Sequence, residues 1–289
     1  MTNATTTQSA VRAVSVIKTG EAEGHTEHLH GTKKPDLWWI FFGRSWERMP
    51  LNVYVIEHQD GLVLFDTGQS YAAVNDPDYY PAGITKFFMT RLFRWHISPE
   101  DTLTEQLARA GYAAGDVRKA VMSHLHADHV GCIDEIPQAE LYAAAEGFDY
   151  MRGPDHADRH FIYRDRIEIP GADWHTIAFE PTDDPMLAPF TEACDLMGDG
   201  SLIVLPTPGH IEGCVSMLVR RGDRPPLLMI GDLTYNESML MNDQFPALGD
   251  HDQLRASFAA VRALKERMPD LVILPSHDFS APAKLSAAG

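Results

Sequence analysis

Short apolar runs alternate with amphipathic segments along most of this chain. The runs LNVYVIEH and LVLFDTG flank the turn QDG, which predicts a β-hairpin over 51–68. Helical spacing of apolar residues predicts a helix that begins at Ser98, with Pro99 at its first position, and ends near Gly111. A second amphipathic helix is predicted in the segment DHDQLRASFAAVRALKERM. The pattern indicates a mixed α/β protein.

Four runs typical of buried strands are each followed by a candidate metal ligand. DVRKAVMS precedes HLHADH, while SLIVLPTPGH, PLLMIGD and DLVILPSHD end at or next to His210, Asp232 and His277. Because strand ends meet at one edge of a sheet, we expect these side chains to converge. The hairpins 51–68 and 202–230 require antiparallel pairing, which favours a mixed α/β sandwich over a doubly wound parallel sheet.

The stretch 143–200 is less regular and rich in Asp, Pro and His. It is predicted to contain a helix near 144–152, short strands near 166–179 and a loop that covers a site. Together with 24–50, this stretch is predicted to form the wall or lid of a substrate pocket.

Composition fits one globular unit over residues 1–289, with 44% apolar and 22% charged residues. The polar residues 1–10 resemble a disordered tail more than a signal peptide. No run reaches the roughly 20 apolar residues of a membrane-spanning helix. Three cysteines without a CxxC pair argue against a disulfide scaffold and suit a reducing compartment. These features predict a cytoplasmic protein.

The formal charge of −17 results from 24 basic and 41 acidic residues. Such a field repels nucleic acid and anionic membranes, so it predicts a small neutral or cationic partner.

Seven candidate ligands follow the predicted strands: His124, His126, Asp128, His129, His210, Asp232 and His277. Five imidazoles and two carboxylates are too many for one tetrahedral zinc and suit two ions. The donors fit Zn²⁺, Fe²⁺, Mn²⁺ or Co²⁺, and the absence of thiolates argues against a closed structural zinc site. Two ions about 3.5–4 Å apart can hold a bridging hydroxide that attacks a carbonyl.

The segment HLHADH resembles the HxHxDH signature of the metallo-β-lactamase superfamily, and the later ligands follow in that superfamily's order. The resemblance extends from about Leu51 to Asp278 and implies a four-layer αβ/βα sandwich. It also implies that one ion binds His124, His126 and His210, that a second binds Asp128, His129 and His277, and that Asp232 bridges the two.

Within the superfamily, SHLHADHVG, TPGHIEGCVSML and GDLTY most resemble the N-acyl-homoserine lactonases of the quorum-quenching branch. This resemblance implies a hydrolase that opens a lactone ring by attack of a metal-bridging hydroxide, with two divalent ions, Zn²⁺ favoured, as cofactors. It places Tyr235 at the substrate carbonyl as a hydrogen-bond donor. Asp128 is expected to protonate the leaving alkoxide, and Asp66 to orient a ligand histidine.

Aromatic residues are concentrated in DLWWIFFGRSW (36–46) and FFMTRLFRW (87–95). One interpretation is hydrophobic core or a homodimer contact. The other is an apolar wall for an acyl chain, formed by Trp38, Trp39, Phe41, Phe42, Trp46, Phe87 and Phe88. A pocket at a dimer seam would combine the two interpretations.

The remaining histidines have weaker context. His25, His28 and His30 lie in GHTEHLHG, where a solvated or lid loop is favoured over a metal site. His156 and His160 are spaced i, i+4 but lack the glutamate of an HExxH motif, so a surface helix or lid is favoured.

Three other activities of the superfamily are alternatives. Asp232 argues against a β-lactamase, since lactamases of the superfamily generally lack it. A glyoxalase II-like thioesterase carries a further helical domain, whereas few residues follow His277. Organophosphate or aryl ester hydrolysis stays open, because the same hydroxide can attack phosphorus. A non-catalytic metal-binding protein is disfavoured because no expected ligand is missing.

Overall fold

The structure is a computed structural model that describes residues 9–154 and 157–289. Most of the predicted tail, residues 1–8, lies outside the described residues. The first strand begins at Val11, whose side chain is fully buried.

The described residues form thirteen strands and eleven α-helices. The strands are β1 Val11–His25, β2 Trp46–His58, β3 Gly61–Phe65, β4 Phe93–His96, β5 Val117–Val121, β6 Glu140–Ala143, β7 Asp173–Thr176, β8 Glu180–Pro181, β9 Glu192–Asp195, β10 Leu202–Pro206, β11 Val215–Arg221, β12 Arg224–Met229 and β13 Val272–Leu274. The helices are α1 Thr26–His30, α2 Asp36–Phe42, α3 Ala72–Asn75, α4 Ile84–Leu92, α5 Leu103–Arg109, α6 Ala127–Val130, α7 Ala145–Arg152, α8 Arg164–Ile167, α9 Glu237–Met241, α10 His251–Arg267 and α11 Ala281–Ala288.

The strands form two mixed sheets. The first has the order β4-β1-β2-β3-β5-β6-β7, and the second has the order β13-β12-β11-β10-β9-β8. The predicted hairpin is confirmed as the antiparallel pair β2–β3, while β3, β5, β6 and β7 are parallel. In the second sheet, β12 and β13 are parallel and the other pairs are antiparallel.

Side-chain alternation along β2 separates two of the hydrophobic cores. Tyr54 and Ile56 pack between the two sheets, whereas Val53 and Val55 face the layer that contains α5 and α7. A third core lies between the second sheet and α10. The layers therefore follow the order helix, sheet, sheet, helix, and the predicted four-layer sandwich is confirmed.

Helix α10 has the boundaries that its sequence predicts. The Asp250 side chain accepts hydrogen bonds from the backbone N–H groups of Asp252 at 2.9 Å and Gln253 at 3.1 Å. The apolar stripe includes Leu254 and Phe258, which are fully buried. Burial of each such side chain contributes about 1.5–3 kcal/mol.

Two predicted elements differ in detail. The capping interaction at Ser98 is present, with the Asp101 carboxylate 2.8 Å from the Ser98 backbone nitrogen, but a 3₁₀ turn precedes α5. Strand formation near 166–179 is limited to β7, because the first part of this stretch continues α8, which the i, i+4 ion pair Arg164–Glu168 supports. The predicted helix near 144–152 is confirmed as α7. None of the helices in the described ranges is both long and apolar enough to cross a membrane.

Candidate metal centre

The predicted ligands follow strands of both sheets. His124 comes after β5 in the first sheet, whereas His210, Asp232 and His277 come after β10, β12 and β13 in the second. Strands β10 and β12 both run antiparallel to β11, and β13 is parallel to β12, so these three strands end at the same edge. The expectation of a single sheet edge is therefore wrong, since the side chains converge where two sheets meet.

The structure brings all seven predicted ligands together. Candidate ligand atoms lie within 4.8 Å of one another in three overlapping sets: His124, His126 and His210; His124, His129 and Asp232; and Asp128, His129 and His277. The first and third sets have the same members as the two ligand groups that the family resemblance implies.

Asp232 lies at the centre of this cluster. Its Oδ1 is 3.3 Å from His129 Nε2 and 3.1 Å from His277 Nε2, and its Oδ2 is 3.6 Å from His210 Nε2. Asp128 Oδ2 is 3.6 Å from His277 Nε2. The two oxygens of Asp232 thus face different histidines, which is the arrangement that a bridging carboxylate requires.

Two buried ring nitrogens that face the cluster, His124 Nε2 and His129 Nε2, have no hydrogen-bond partner among the described residues. The ring nitrogens His126 Nδ1 and His210 Nε2 face each other at 3.1 Å. Buried polar atoms are almost always paired in proteins, so ring nitrogens that converge without such partners point to a missing ligand. Imidazole and carboxylate donors without thiolate fit divalent cations such as Zn²⁺, and these residues therefore fit a metal centre.

The histidines differ in proton affinity. Burial lowers the pKa of His124 and of His126 well below the usual value. Burial also lowers the pKa of His129, but the carboxylates of Asp232 and Asp66 outweigh it and raise this pKa well above the usual value. For Asp232, burial raises the pKa, yet the neighbouring imidazoles of His277 and His129 hold it well below the usual value. The metal-free cluster thus combines neutral imidazoles with charged pairs.

Asp66 lies behind the cluster and contacts one of its histidines. It follows β3 with a φ of 66°, and its Oδ2 is 2.7 Å from His129 Nδ1. Its Oδ1 accepts a hydrogen bond from the Ser123 backbone N–H at 2.7 Å, and its Oδ2 accepts another from the Ser276 hydroxyl at 3.0 Å. This contact to His129 Nδ1 leaves Nε2 facing the cluster. His277 is held similarly, with Nδ1 2.8 Å from the Pro50 carbonyl oxygen.

A cavity of about 330 Å³ opens above the cluster. The ligands on its floor are His126, Asp128, His210, Asp232 and His277. The apolar part of its wall is formed by Met49, Met89, Phe93, Trp95, Phe161 and Leu248. Its size and mostly apolar lining are typical of small-molecule sites.

Tyr235 is 7% exposed and lines this cavity beside the ligands. Its ring centroid is 5.7 Å from that of His277, and its hydroxyl is 3.0 Å from His28 Nε2. Burial, together with the charges of Asp232 and Asp128, raises the pKa of Tyr235 well above the usual value. The phenol therefore keeps its proton at neutral pH, as a hydrogen-bond donor must.

The seven aromatic side chains proposed as an acyl-chain wall are not among the residues that line this cavity. Trp39 is fully buried, while Trp38, Phe41, Phe42 and Phe87 are exposed at the surface. The helical period of α2 separates Trp39 from its neighbours, so the three exposed rings of this helix, Trp38, Phe41 and Phe42, point away from the core. Phe88 is part-buried against the surface rings, and Trp46 packs at a tilt against His25 with ring centroids 4.0 Å apart. The segment 87–95 does contribute to the wall, but through Met89, Phe93 and Trp95.

Both segments that were expected to cover the site contribute lining residues. His28 and Met49 come from 24–50, and Tyr150, His160 and Phe161 come from 143–200. The sequence did not single out His28, since the histidine-rich segment was interpreted as a solvated or lid loop without a role for any one of its histidines.

The other isolated histidines have local partners. His25 Nε2 is 2.9 Å from the Arg91 carbonyl oxygen, and His30 Nε2 is 2.6 Å from a Glu47 carboxylate oxygen. His156 lies outside the described residues. Cys132 and Cys214 are free and buried.

Known proteins resemble this chain in sequence and in fold. A profile described as the metallo-β-lactamase superfamily matches residues 46–277. N-acyl homoserine lactonase AttM of Rhizobium radiobacter is 28% identical over 244 residues, which cover 83% of this chain and 86% of that protein. A probable metallo-hydrolase of Mycobacterium tuberculosis is 31% identical over 247 residues, covering 78% of this chain and 74% of its own.

Among solved structures, an N-acyl homoserine lactone hydrolase with the product N-hexanoyl-L-homoserine bound at its catalytic metal centre superposes with a TM-score of 0.72. Its sequence is 18% identical, with coverage of 94% of this chain and 95% of that one, so this match supports the fold. The profile match and the sequence relatives confirm the prediction of a metal-dependent hydrolase at the level of enzyme class. With the HxHxDH segment, the later ligands and the four-layer fold, they show that this chain belongs to the metallo-β-lactamase superfamily.

Proposed function

We propose that this enzyme opens the lactone ring of N-acyl-homoserine lactones and that it uses two divalent ions, with Zn²⁺ as the favoured metal. The observation that carries the proposal is the position of Tyr235, a protonated donor beside the ligand cluster in a mostly apolar cavity. The sequence relatives named as N-acyl homoserine lactonases support the same substrate class.

Each residue of the site has a defined task in this proposal. The three ligands His124, His126 and His210 would hold one ion and Asp128, His129 and His277 the other, with Asp232 between the two sets. When bound, the ions would supply an activated water and polarise the carbonyl group. The Tyr235 hydroxyl donates a hydrogen bond to the carbonyl oxygen as negative charge develops there.

The leaving group requires a proton. Ring opening breaks the acyl C–O bond, water adds its oxygen to the acyl carbon, and the ring oxygen becomes a hydroxyl group. Asp128 lines the cavity and is the acid that we assign to this oxygen. At neutral pH the product is a carboxylate, so each opened ring releases one proton to the solvent.

The charge of the cavity favours a neutral substrate. Its described lining includes the carboxylates of Asp128, Glu212, Asp232 and Asp250 but no lysine or arginine. The ions would be bound by Asp128 and Asp232, whereas the carboxylates of Glu212 and Asp250 lie outside the ligand set. Substrates with a fixed negative charge, such as β-lactams and glutathione thioesters, would meet these two carboxylates with no lysine or arginine of the described lining to pair with. An uncharged acyl lactone meets no such repulsion, and its chain can contact Phe93, Trp95 and Phe161.

The proposal is tested by proton release with a panel of substrates. The panel contains acyl lactones of several chain lengths, a β-lactam, a glutathione thioester, an aryl ester and a phosphotriester, and the metal content of the enzyme is measured in parallel. We expect the highest kcat/KM for an acyl lactone, with one proton per ring and two ions per chain. Undetectable lactone hydrolysis by metal-loaded enzyme that cleaves another member of the panel would overturn the substrate assignment.

A further inference from the structure

His28 lies in the cavity wall and contacts the proposed substrate donor. It belongs to α1, is 3% exposed, and its Nε2 is 3.0 Å from the Tyr235 hydroxyl oxygen. Its backbone carbonyl accepts a hydrogen bond from the Ala247 N–H at 2.9 Å, which fixes this turn of helix to the segment after α9. The imidazole is therefore built into the site from a distant part of the chain.

Aromatic rings hold the His28 imidazole in place. Trp39 stacks on it with ring centroids 6.0 Å apart, and Phe93 meets it edge-on at 5.6 Å. Its Nδ1 atom is buried and has no hydrogen-bond partner among the described residues. The hydrogen bond of this ring is therefore the one to the Tyr235 hydroxyl.

This environment decides where the single proton of the ring resides. Burial lowers the pKa of His28 to about 3, so the imidazole is neutral at neutral pH. A proton on Nδ1 would leave a buried N–H without an acceptor. The lone pair of Nε2 would then accept a hydrogen bond from the Tyr235 hydroxyl, whose proton would no longer be free for the substrate. A proton on Nε2 leaves only an unpaired lone pair on Nδ1, and orphaned buried N–H groups are the rarer of the two defects.

We propose that His28 is a positioning residue whose Nε2–H donates to the Tyr235 oxygen and thereby leaves the Tyr235 hydroxyl proton free to point at the substrate carbonyl. The inference rests on the proposed function, in which Tyr235 is the donor to that carbonyl. A hydroxyl group that accepts one hydrogen bond is polarised by it, so the hydrogen bond that the same hydroxyl donates becomes stronger. His28 thus acts on the reaction through Tyr235 without touching the substrate oxygen itself.

The kinetic test is a double-mutant cycle with His28→Phe and Tyr235→Phe. We expect Tyr235→Phe to lower kcat about 100-fold, as removal of one oxyanion donor does. His28→Phe is expected to lower kcat about 10-fold with KM changed less than about 2-fold, since the donor persists but loses its orientation. The double variant should match Tyr235→Phe, because His28 has no effect once the hydroxyl is absent.

Two further variants separate positioning from packing. His28→Gln can still donate an N–H and should recover kcat to within about 3-fold of the wild type. His30→Gln, in the same helix but outside the cavity lining, is the matched control and should leave kcat unchanged. Melting temperature and metal content of each variant show whether the protein is folded. Additive losses in the cycle, or no recovery with His28→Gln, would overturn the proposal.

The tautomer is measured independently of activity. In protein with ¹⁵N-labelled histidine, the nitrogen chemical shifts of His28 should show the proton on Nε2, and the signal should be assigned by its loss in His28→Gln. A proton on Nδ1 would overturn the inference at any level of activity. The cycle is run with whichever substrate of the panel the wild type cleaves best, so that failure of the lactone assignment and failure of the His28 inference give different results.

Discussion

Asparagine in place of Asp66 provides the sharpest test of how the ligand cluster is supported. The carboxylate faces two nitrogens with different oxygens, the Ser123 backbone N–H at Oδ1 and His129 Nδ1 at Oδ2, each at 2.7 Å. An asparagine side chain has a single oxygen, so in either orientation one of these nitrogens faces an amide N–H₂ group. The Ser123 backbone cannot move its proton, whereas His129 can shift its proton from Nδ1 to Nε2.

The expected outcome of Asp66→Asn is therefore a changed tautomer of His129. The amide oxygen keeps the bond to Ser123, and the His129 proton moves to the nitrogen that faces Asp232, where a metal would bind. Loss of such a supporting partner weakens metal binding about 10- to 100-fold. This corresponds to about 1.4–2.7 kcal/mol at 1.36 kcal/mol per factor of ten.

Metal affinity is measured by competition with a chromogenic chelator, and the ion count by elemental analysis. One of the two ions, held by the set that contains His129, should be lost at lower chelator concentration. Ser276→Ala is the matched control, since it removes one hydroxyl donor to Asp66 at 3.0 Å and leaves the contact to His129 intact. Equal affinities in Asp66→Asn, Ser276→Ala and wild type would refute the reasoning, as would equal weakening of both ions.

Further predictions concern the cluster and the packing next to it. Asp232→Asn should lower kcat by at least about 100-fold and weaken the binding of both ions, because the central carboxylate faces histidines of both sets. Hydrolysis assays measure the first effect and elemental analysis measures the second. The pKa values of His129 and His277 are raised above the ordinary 6.5, so protons compete with metal ions for these ring nitrogens. Metal affinity should therefore begin to fall at a pH above 6.5 as the pH is lowered, and titrations with a chelator measure this. In the metal-free protein these protonated histidines favour the folded state at low pH, and that contribution is lost as pH rises through the raised pKa. Gly131→Ala should lower the melting temperature, because a Cβ there would lie 2.6 Å from the Ser70 backbone nitrogen; an unchanged melting temperature would contradict the packing argument.

The ligand cluster was predictable because its signal is local in sequence. Each ligand lies within a few residues of the end of an apolar run, so strands such as β10 and β13, once recognised, also locate His210 and His277. The hairpin β2–β3 and helix α10 have the same advantage, since their hydrophobic periods are clear. Which strands share a sheet depends instead on packing between distant segments, and the ligands therefore converge from two sheets where one was expected.

The substrate wall was not predictable from aromatic content. An aromatic-rich helix buries only one face, and composition does not tell which face meets the cavity, so Trp39 is internal while Phe42 is 66% exposed. Phe161, with a φ of 64°, lies in a stretch without clear periodicity. His28 has no local signal either, because its role depends on Tyr235, a partner 207 positions away in the chain.

The division of the chain into two sheets has a practical consequence. Strands β1–β7 of the first sheet end at Thr176, and strands β8–β13 of the second begin at Glu180, so a cut between them would separate the molecule into two contiguous fragments. Each fragment contains only part of the donor set. The absorption spectrum of bound Co²⁺ would thus serve as a gauge of how well the two fragments reassemble, and the protein offers a natural framework for a split sensor.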